Sequence, residues 1–330
     1  MLFSAPGHQG PVSDHFDGRR FRNTSPEAGP HGFLGVLKWG ATRRRGEWPS
    51  RLDARPGPAP PRRVADLRVT FVNHATVLIQ MAGRNILTDP VWSDRVSPVS
   101  FAGPKRVRPP GIRFDDLPQI DTVLLSHNHY DHLDLATLAR LARRDDPWVV
   151  AGLGVRRLLD ARGLVRGAEL DWWEASDLGA GFSVTAVPVQ HFSGRGLSDR
   201  NRTLWTGFVL SGPSGSVFFA GDTGYGPHFA EIGRRFPGLR LAILPIGAYR
   251  PEWFMGPVHE TPRQAIQAFR DLGAGTGLGM HFGTFELTDE GADEPPREIA
   301  ALLAGAPDVA ARFWVLDFGE GRDVPRAGGL

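Results

Sequence analysis

The sequence predicts a four-layer α/β sandwich, two packed sheets with helices outside, and three observations lead there. Short β-rich runs cluster early, before any sustained helical pattern. From residue 122 onward, strand and helix patterns alternate. Residues able to bind metal recur just past the ends of strands, the places where such a sandwich presents side chains along one rim.

Taken in order, residues 4–61 are rich in Gly, Pro and Arg and read as an irregular lead-in wrapped on a domain. Within it lies one apolar patch, Phe33, Leu34, Val36, Leu37 and Trp39, followed by Arg43, Arg44 and Arg45. Runs at 67–72, 76–80 and 85–88, separated by turn residues, read as an antiparallel meander. Residues 122–125 form a short buried strand, after which Asp134 can cap a helix carrying Leu135, Leu138 and Leu141 on one face. Further strands are expected at 148–150, 183–189, 204–210, 216–220, 240–245, 277–281 and 312–316, with helices at 155–161, 227–236, 262–272 and 297–303. No repeat or low-complexity tract interrupts this order, so residues 1–63 are expected to be an extension and 64–330 one domain.

With 22% charged and 41% hydrophobic residues over 330 positions, the composition is that of a globular chain. The absence of cysteine excludes disulfides, thiolate metal ligands, Fe–S clusters and cysteine nucleophiles, so any metal must be held by His, Asp or Glu. All but two of the 38 basic residues are arginine, a skew that GC-rich coding explains as well as a ligand would, and no nucleic-acid partner is expected at a formal charge of +2. Residues 1–17 lack a basic stretch leading into an apolar one, and nowhere do the roughly 18 apolar residues of a membrane span occur. A cytoplasmic chain, peripheral on the inner face of the membrane if it meets lipid, is the expectation.

The strongest chemical signal is Ser126-His127-Asn128-His129-Tyr130-Asp131-His132, between the buried strand and the capped helix. Alternate residues of an extended segment point the same way, so His127 and His129 can grip one metal while Asp131 and His132, at the turn into the helix, face another. More candidate ligands follow later strands: His191, Asp222 and His281.

This pattern resembles the metallo-β-lactamase superfamily, whose loop signature HxHxDH is followed by a distant His, Asp and His in that order. The resemblance covers about residues 67–316 and implies a four-layer αββα sandwich of that type. It also implies two Zn2+ ions, one bound by His127, His129 and His191, the second by Asp131, His132 and His281, with Asp222 bridging. A bridging Asp without Cys fits the hydrolase and phosphodiesterase branches better than the β-lactamases themselves. The stretches His74-Ala75-Thr76-Val77-Leu78, Asn85-Ile86-Leu87-Thr88-Asp89-Pro90, Gly221-Asp222-Thr223-Gly224-Tyr225 and Pro245-Ile246-Gly247-Ala248-Tyr249, with Trp253-Phe254-Met255, look more narrowly like the N-acylphosphatidylethanolamine-hydrolysing phospholipase D family and its bacterial relatives.

That family carries a further His after its Gly-Ala-Tyr loop, matched here by His259. Residues 193–202 look like the bacterial relatives rather than the animal enzymes. The resemblance implies a phospholipid or other phosphodiester substrate, peripheral membrane contact, and Asp131, Asp222 and His259 as catalytic residues. Two zinc ions roughly 3.5–4 Å apart can hold a hydroxide and clamp a phosphoryl oxygen for in-line attack, giving N-acylethanolamine and phosphatidate. Competing readings are another hydrolase on the same centre, a lactonase or nuclease, and a non-catalytic metal- or lipid-binding module. Iron or manganese are alternatives to zinc, since His/Asp sites discriminate weakly.

Several residues keep two readings. His74 either supports a ligand or is a structural histidine, and Asp89 either fixes the turn at Pro90 or supports the site from behind. His259 is either catalytic or a histidine that happens to precede a helix start. Trp253, Phe254 and Met255 line a lipid groove or pack in the core, and the 33–45 segment packs on the sandwich or lies on an anionic membrane, packing being favoured. His8, His15, His31 and His228 are expected at the surface. The oligomeric state stays open.

Overall fold

The computed structural model describes residues 4–25, 29, 31–160, 162–164 and 166–326. Its elements begin with helix α1 (Phe33–Thr42), then β1 (Leu67–Asn73), β2 (Thr76–Met81), β3 (Arg84–Thr88), β4 (Thr122–Leu125), α2 (Leu135–Asp145), β5 (Trp148–Gly152), α3 (Arg156–Asp160), β6 (Gly167–Leu170) and β7 (Ala175–Gly179). The second half comprises β8 (Phe182–Val187), β9 (Gly207–Gly212), β10 (Gly215–Phe219), α4 (His228–Arg235), β11 (Leu239–Pro245), α5 (Glu252–Met255), α6 (Pro262–Leu272), β12 (Thr276–Met280), α7 (Glu294–Ala304), α8 (Pro307–Ala310), β13 (Phe313–Trp314) and β14 (Gly321–Asp323).

Two seven-stranded sheets result, ordered β14-β1-β2-β3-β4-β5-β6 and β13-β12-β11-β10-β9-β8-β7. Each is antiparallel over one half and parallel over the other, the switch falling at β3 in the first sheet and β10 in the second. The two inner faces meet in one core that includes Phe71, Ile79, Leu124, Phe208 and Phe218. Alternate residues of the first sheet, Leu78, Leu87, Val123 and Leu125, point outward into a second cluster closed by Leu138 and Leu141 of α2. Burial on both faces is why the parallel strands read as continuous apolar runs rather than alternating ones. Helices α4 and α6 bury Phe229, Ile232 and Phe269 against the second sheet. The chain thus has the four-layer arrangement expected, helices outside two mixed sheets.

The differences are local. The lead-in is not irregular throughout: it contains α1, whose amphipathic period was masked by glycines and by the lack of a capping side chain at Gly32. Strands β6, β7 and β14 went unanticipated, being short and largely polar; β14 exists because it pairs with β1 some 250 residues earlier, Arg68 opposite Asp323. The expected strand at 204–210 begins only at Gly207, since Leu204 and Trp205 instead pack with Phe16, Phe21 and Trp172. Ala161, the expected end of the helix at 155–161, lies outside the described residues. No helix among the described residues is long and apolar enough to cross a membrane.

Asp134 connects the fold to the rim. One carboxylate oxygen accepts from the amides of Ala136 and Thr137 at the start of α2, and the other from the Thr137 hydroxyl and the amides of Trp92 and Ser93, at 2.6, 3.2 and 2.9 Å. Removing it takes the acceptor from the Ser93, Ala136 and Thr137 amides, while the Trp92 amide keeps the Thr137 hydroxyl at 3.0 Å. Asp134→Ala is expected to lower unfolding free energy by about 1–3 kcal/mol, read as a reduced urea midpoint at unchanged m-value.

Candidate metal centre

The strand directions bring the C-terminal ends of β1, β3, β4, β8, β10 and β12 to one rim, and each end delivers polar residues there. From β4 comes the 126–132 loop, from β8 His191, from β10 Asp222 and from β12 His281. Gly221, at φ +61°, lets β10 approach β4: a Cβ there would lie 2.5 Å from the Ser126 Cβ, so a larger residue would push Asp222 away from the loop. Gly247 allows a like approach beside the His281 carbonyl.

Two groups of donors form. His127 Nε2 lies 2.7 Å from His129 Nδ1, which is 3.3 Å from His191 Nε2. Beside them His132 Nε2 and His281 Nε2 stand 3.3 Å apart, with Asp131 Oδ2 at 3.5 and 3.6 Å from the two rings. Asp222 lies between: its Oδ2 is 3.0 Å from His132 Nε2, 3.7 Å from His191 Nε2 and 3.9 Å from His127 Nε2, and its Oδ1 is 3.2 Å from His281 Nε2. All seven sequence-selected residues are therefore brought together: His127, His129 and His191 form one set able to hold an ion, Asp131, His132 and His281 form another that includes His74, and Asp222 converges with His191 and His259. His259 Nε2 is 3.9 Å from Asp222 Oδ2, its ring buried beside His191.

Three of the rings converge with their opposite nitrogens already committed. His132 Nδ1 donates to Asp89 Oδ2 at 2.7 Å, and His191 Nδ1 to the Val258 carbonyl at 3.0 Å. Ser126 gives its hydroxyl proton to Asp89 at 2.6 Å, so its oxygen is left to accept from His127 Nδ1 at 2.9 Å. Each of these rings turns Nε2 inward, the orientation a metal ligand requires once that nitrogen carries no proton. Asp222 Oδ1 is buried without an aligned hydrogen-bond donor. Imidazole nitrogens and carboxylate oxygens in this number suit divalent zinc, iron or manganese, and the residues fit such ions.

The charges agree. Burial opposes ionisation of Asp131 and Asp222, yet the His132 ring beside both holds them well below the usual carboxylate range. Burial likewise opposes charge on His132 and His281, but Asp222 raises the first well above the usual histidine value and pushes the second up to about 9. His127 and His259 are driven well down, and His129 and His191 to about 3 and about 4, chiefly by burial. The two carboxylates thus draw positive charge between them, and a dication would displace the protons that otherwise supply it.

Of the residues with two readings, Asp89 supports the site from behind, and His74 Nε2 contacts Asp131 Oδ2 at 3.0 Å. Ser126 and the Val258 carbonyl were missed altogether; adjacency to a ligand was the only sequence signal for Ser126, and Val258 had none. Surface placement fails for His228, buried with Nε2 3.2 Å from the Thr223 hydroxyl, and for His15, held between Asp14 and Asp171 at 2.5 and 2.7 Å. His31 stays half-exposed, with its Nε2 2.7 Å from the Trp253 carbonyl. His8 contacts Phe16 edge-on.

A cavity of about 310 Å³ opens above the centre, floored by His129, Asp131, His191, Asp222, His259 and His281 and walled by Val36, Trp39, Phe192, Phe254, Met255 and Leu287. The family model described as "Beta-lactamase superfamily domain" matches residues 84–282, which include every one of the floor residues. The chain belongs to the metallo-β-lactamase superfamily. This superfamily member is 38% identical over 267 residues, 77% of this chain and 75% of the relative, to N-acyl-phosphatidylethanolamine-hydrolyzing phospholipase D 1 of Caenorhabditis elegans. It is also 38% identical, over 67% of this chain and 48% of the relative, to the mitochondrial phospholipase D of that name from Saccharomyces cerevisiae. Among solved structures, Igni18, a metallo hydrolase of Ignicoccus hospitalis, superposes at TM-score 0.60 with 21% identity over 79% of this chain and 99% of that one. The protein is a metal-dependent hydrolase of the metallo-β-lactamase fold.

Because Asp89 orients a ligand in each donor group, Asp89→Ala is expected to weaken metal binding roughly 10- to 100-fold, measured by competition against a chromogenic chelator. Unchanged affinity would make it a turn residue only.

Proposed function

We propose that this protein is a binuclear zinc phosphodiesterase of phospholipase D type, acting on N-acylphosphatidylethanolamine-like phospholipids to give N-acylethanolamine and phosphatidate. One observation carries the reading: a charged floor of paired donor groups lies directly beneath an apolar, aromatic wall, so a phosphodiester and a hydrocarbon chain find complementary surfaces in one cavity. The names of the worm and yeast relatives support it. His127, His129 and His191 would hold one ion, Asp131, His132 and His281 the other, and Asp222 would bridge them. Bound there, two zinc ions supply positive charge to a phosphoryl oxygen and acidify water toward neutral pH.

The chain does the rest. Asp222, anionic and buried, faces His132 and His281 of one donor group and His191 and His127 of the other. His259 stands on the same floor with Nδ1 lacking a partner among the described residues, and its ring can hydrogen-bond a nonbridging or leaving oxygen. His191, Asp222, His259 and His281 are themselves buried, and the low local polarity around them strengthens each of these contacts.

A lipid substrate requires the rim to meet a bilayer. Beside the cavity, α1 lines it with Trp39 and with Val36, itself 44% exposed, while Phe33, Leu34 and Leu37 are 74%, 79% and 53% exposed. The three arginines beyond it contribute less than their number implies, since Arg43 pairs with Asp289 at 2.9 Å and Arg45 with Glu286 at 3.3 Å. Docking is therefore driven by apolar contact, at about 1.5–3 kcal/mol per fully buried side chain, and depends little on salt.

Metal analysis followed by a product screen over N-acylated phospholipids, ordinary phospholipids, lactones and RNA tests the reading; turnover of lactones or RNA alone would replace it. His259→Ala is expected to keep both metals and lose kcat by roughly ten- to a thousandfold. A rise in KM at constant kcat would assign it to ground-state binding instead. Leu34→Ser with Leu37→Ser is expected to lose vesicle sedimentation at low and high salt alike, and to hydrolyse a soluble short-chain diester normally.

A further inference from the structure

Helix α1 roofs the cavity yet buries none of its own residues. Ten residues are too few to hold a helix in water unaided, and Gly32 offers its N-terminus no side-chain cap. The fastening lies at the other end. Asp289, only 7% exposed, accepts from Trp39 Nε1 at 3.1 Å, Arg43 Nε at 2.9 Å and the Arg44 amide at 3.2 Å, and its carbonyl accepts from the Gly46 amide at 2.6 Å. The Arg43 guanidinium also lies over the Trp39 ring, 4.9 Å from its centre. Its α1-side partners are thus one side chain within the helix and the chain leaving it.

The same short segment grips the opposite wall. The Asp289 amide donates to the Arg250 carbonyl at 3.2 Å, and the next residue, Glu290, accepts from the Ala248 and Arg250 amides at 2.6 and 3.1 Å. Thr288, just before, lines the cavity itself. Trp39 in turn stacks on Phe254 of α5, rings 5.0 Å apart, closing roof against wall.

We propose that Asp289 is a positioning residue, the latch that holds α1 over the metal cavity so that Val36 and Trp39 form part of the surface packing the substrate's apolar portion. The consequence for lipid rests on the phosphodiesterase reading above; the latch itself does not. Asp289 lies outside the cavity lining and acts through Trp39 and Arg43.

Hydrogen exchange and kinetics test this together. In Asp289→Ala, the backbone amides of residues 36–42, none of which bonds Asp289, exchange roughly tenfold or more faster, the weight of one lost charge-assisted hydrogen bond. KM for a long-chain N-acylphosphatidylethanolamine in mixed micelles rises about tenfold, while kcat, metal content and turnover of a soluble diester stay within about twofold. Asp289→Asn keeps an acceptor for Trp39 but loses the charge facing Arg43, and gives the same changes at smaller size, which separates release of the helix from misfolding. Unchanged exchange over 36–42 in both variants overturns the latch, and so does faster exchange with an unaltered long-chain KM. If the unsubstituted enzyme cleaves no phosphodiester, the function proposed above falls, and the exchange rates alone then decide the latch.

Discussion

The carboxylate of Asp89, fully buried at the end of β3, receives the His132 ring and both the amide and hydroxyl of Ser126 at 2.6 to 2.8 Å, and through Ser126 it also governs His127. One anion therefore sets the tautomer of a histidine in each donor group and ties β3 to the loop after β4. Without it those rings would turn freely, and a cluster of facing lone pairs and like charges would have no reason to hold together. The loop can be short and polar because this anchor lies behind it. Asp134 performs the mechanical counterpart at the loop's far end, joining α2 to the 92–93 turn.

The rim stores strain around the donor groups. His74, Asp89 and His281 all adopt positive φ, at 45°, 31° and 65°, a region that L-residues with a Cβ occupy at some cost. Packing overdetermines each of them: the His281 amide donates to the His74 carbonyl at 2.8 Å, linking the two sheets at the point where their chains turn outward. A sharp turn at a strand end aims a side chain across the rim rather than along the strand, which is what lets residues from both sheets reach a common centre.

Above the centre, the roles of charge and apolar surface are divided. Carboxylates and imidazoles occupy the floor, while the roof and walls are mainly apolar, with Val36, Trp39, Phe192, Phe254, Met255 and Leu287, and also include Arg200 and His31. The acids nearest α1, Asp289 and Glu286, are turned toward Arg43 and Arg45 rather than into the cavity, so the outward face of the helix keeps its exposed leucines and phenylalanine without anionic neighbours from these two. The expectation of packing for 33–45 describes the side of the helix that carries Trp39; the other side is exposed and apolar, and lipid contact there belongs to the proposed function.

By itself the sequence determined the layer architecture, the order of most elements and the seven residues of the donor groups. Those are local properties: a buried run of four residues, a capping aspartate and a His/Asp spacing of two, two and one all lie within one stretch of chain, and strand ends place the remaining ligands by the same rule. Only the tertiary structure decided what stands behind them. The contact of Asp89 with His132 spans 43 residues, that of His74 with Asp131 spans 57, and that of Arg43 with Asp289 spans 246. Burial of His15 and His228, pairing of β14 with β1 and the seating of α1 over the cavity are of the same kind. Side-chain periodicity is written residue by residue, whereas the partner a polar atom meets depends on which distant segment the packed sheets bring beside it.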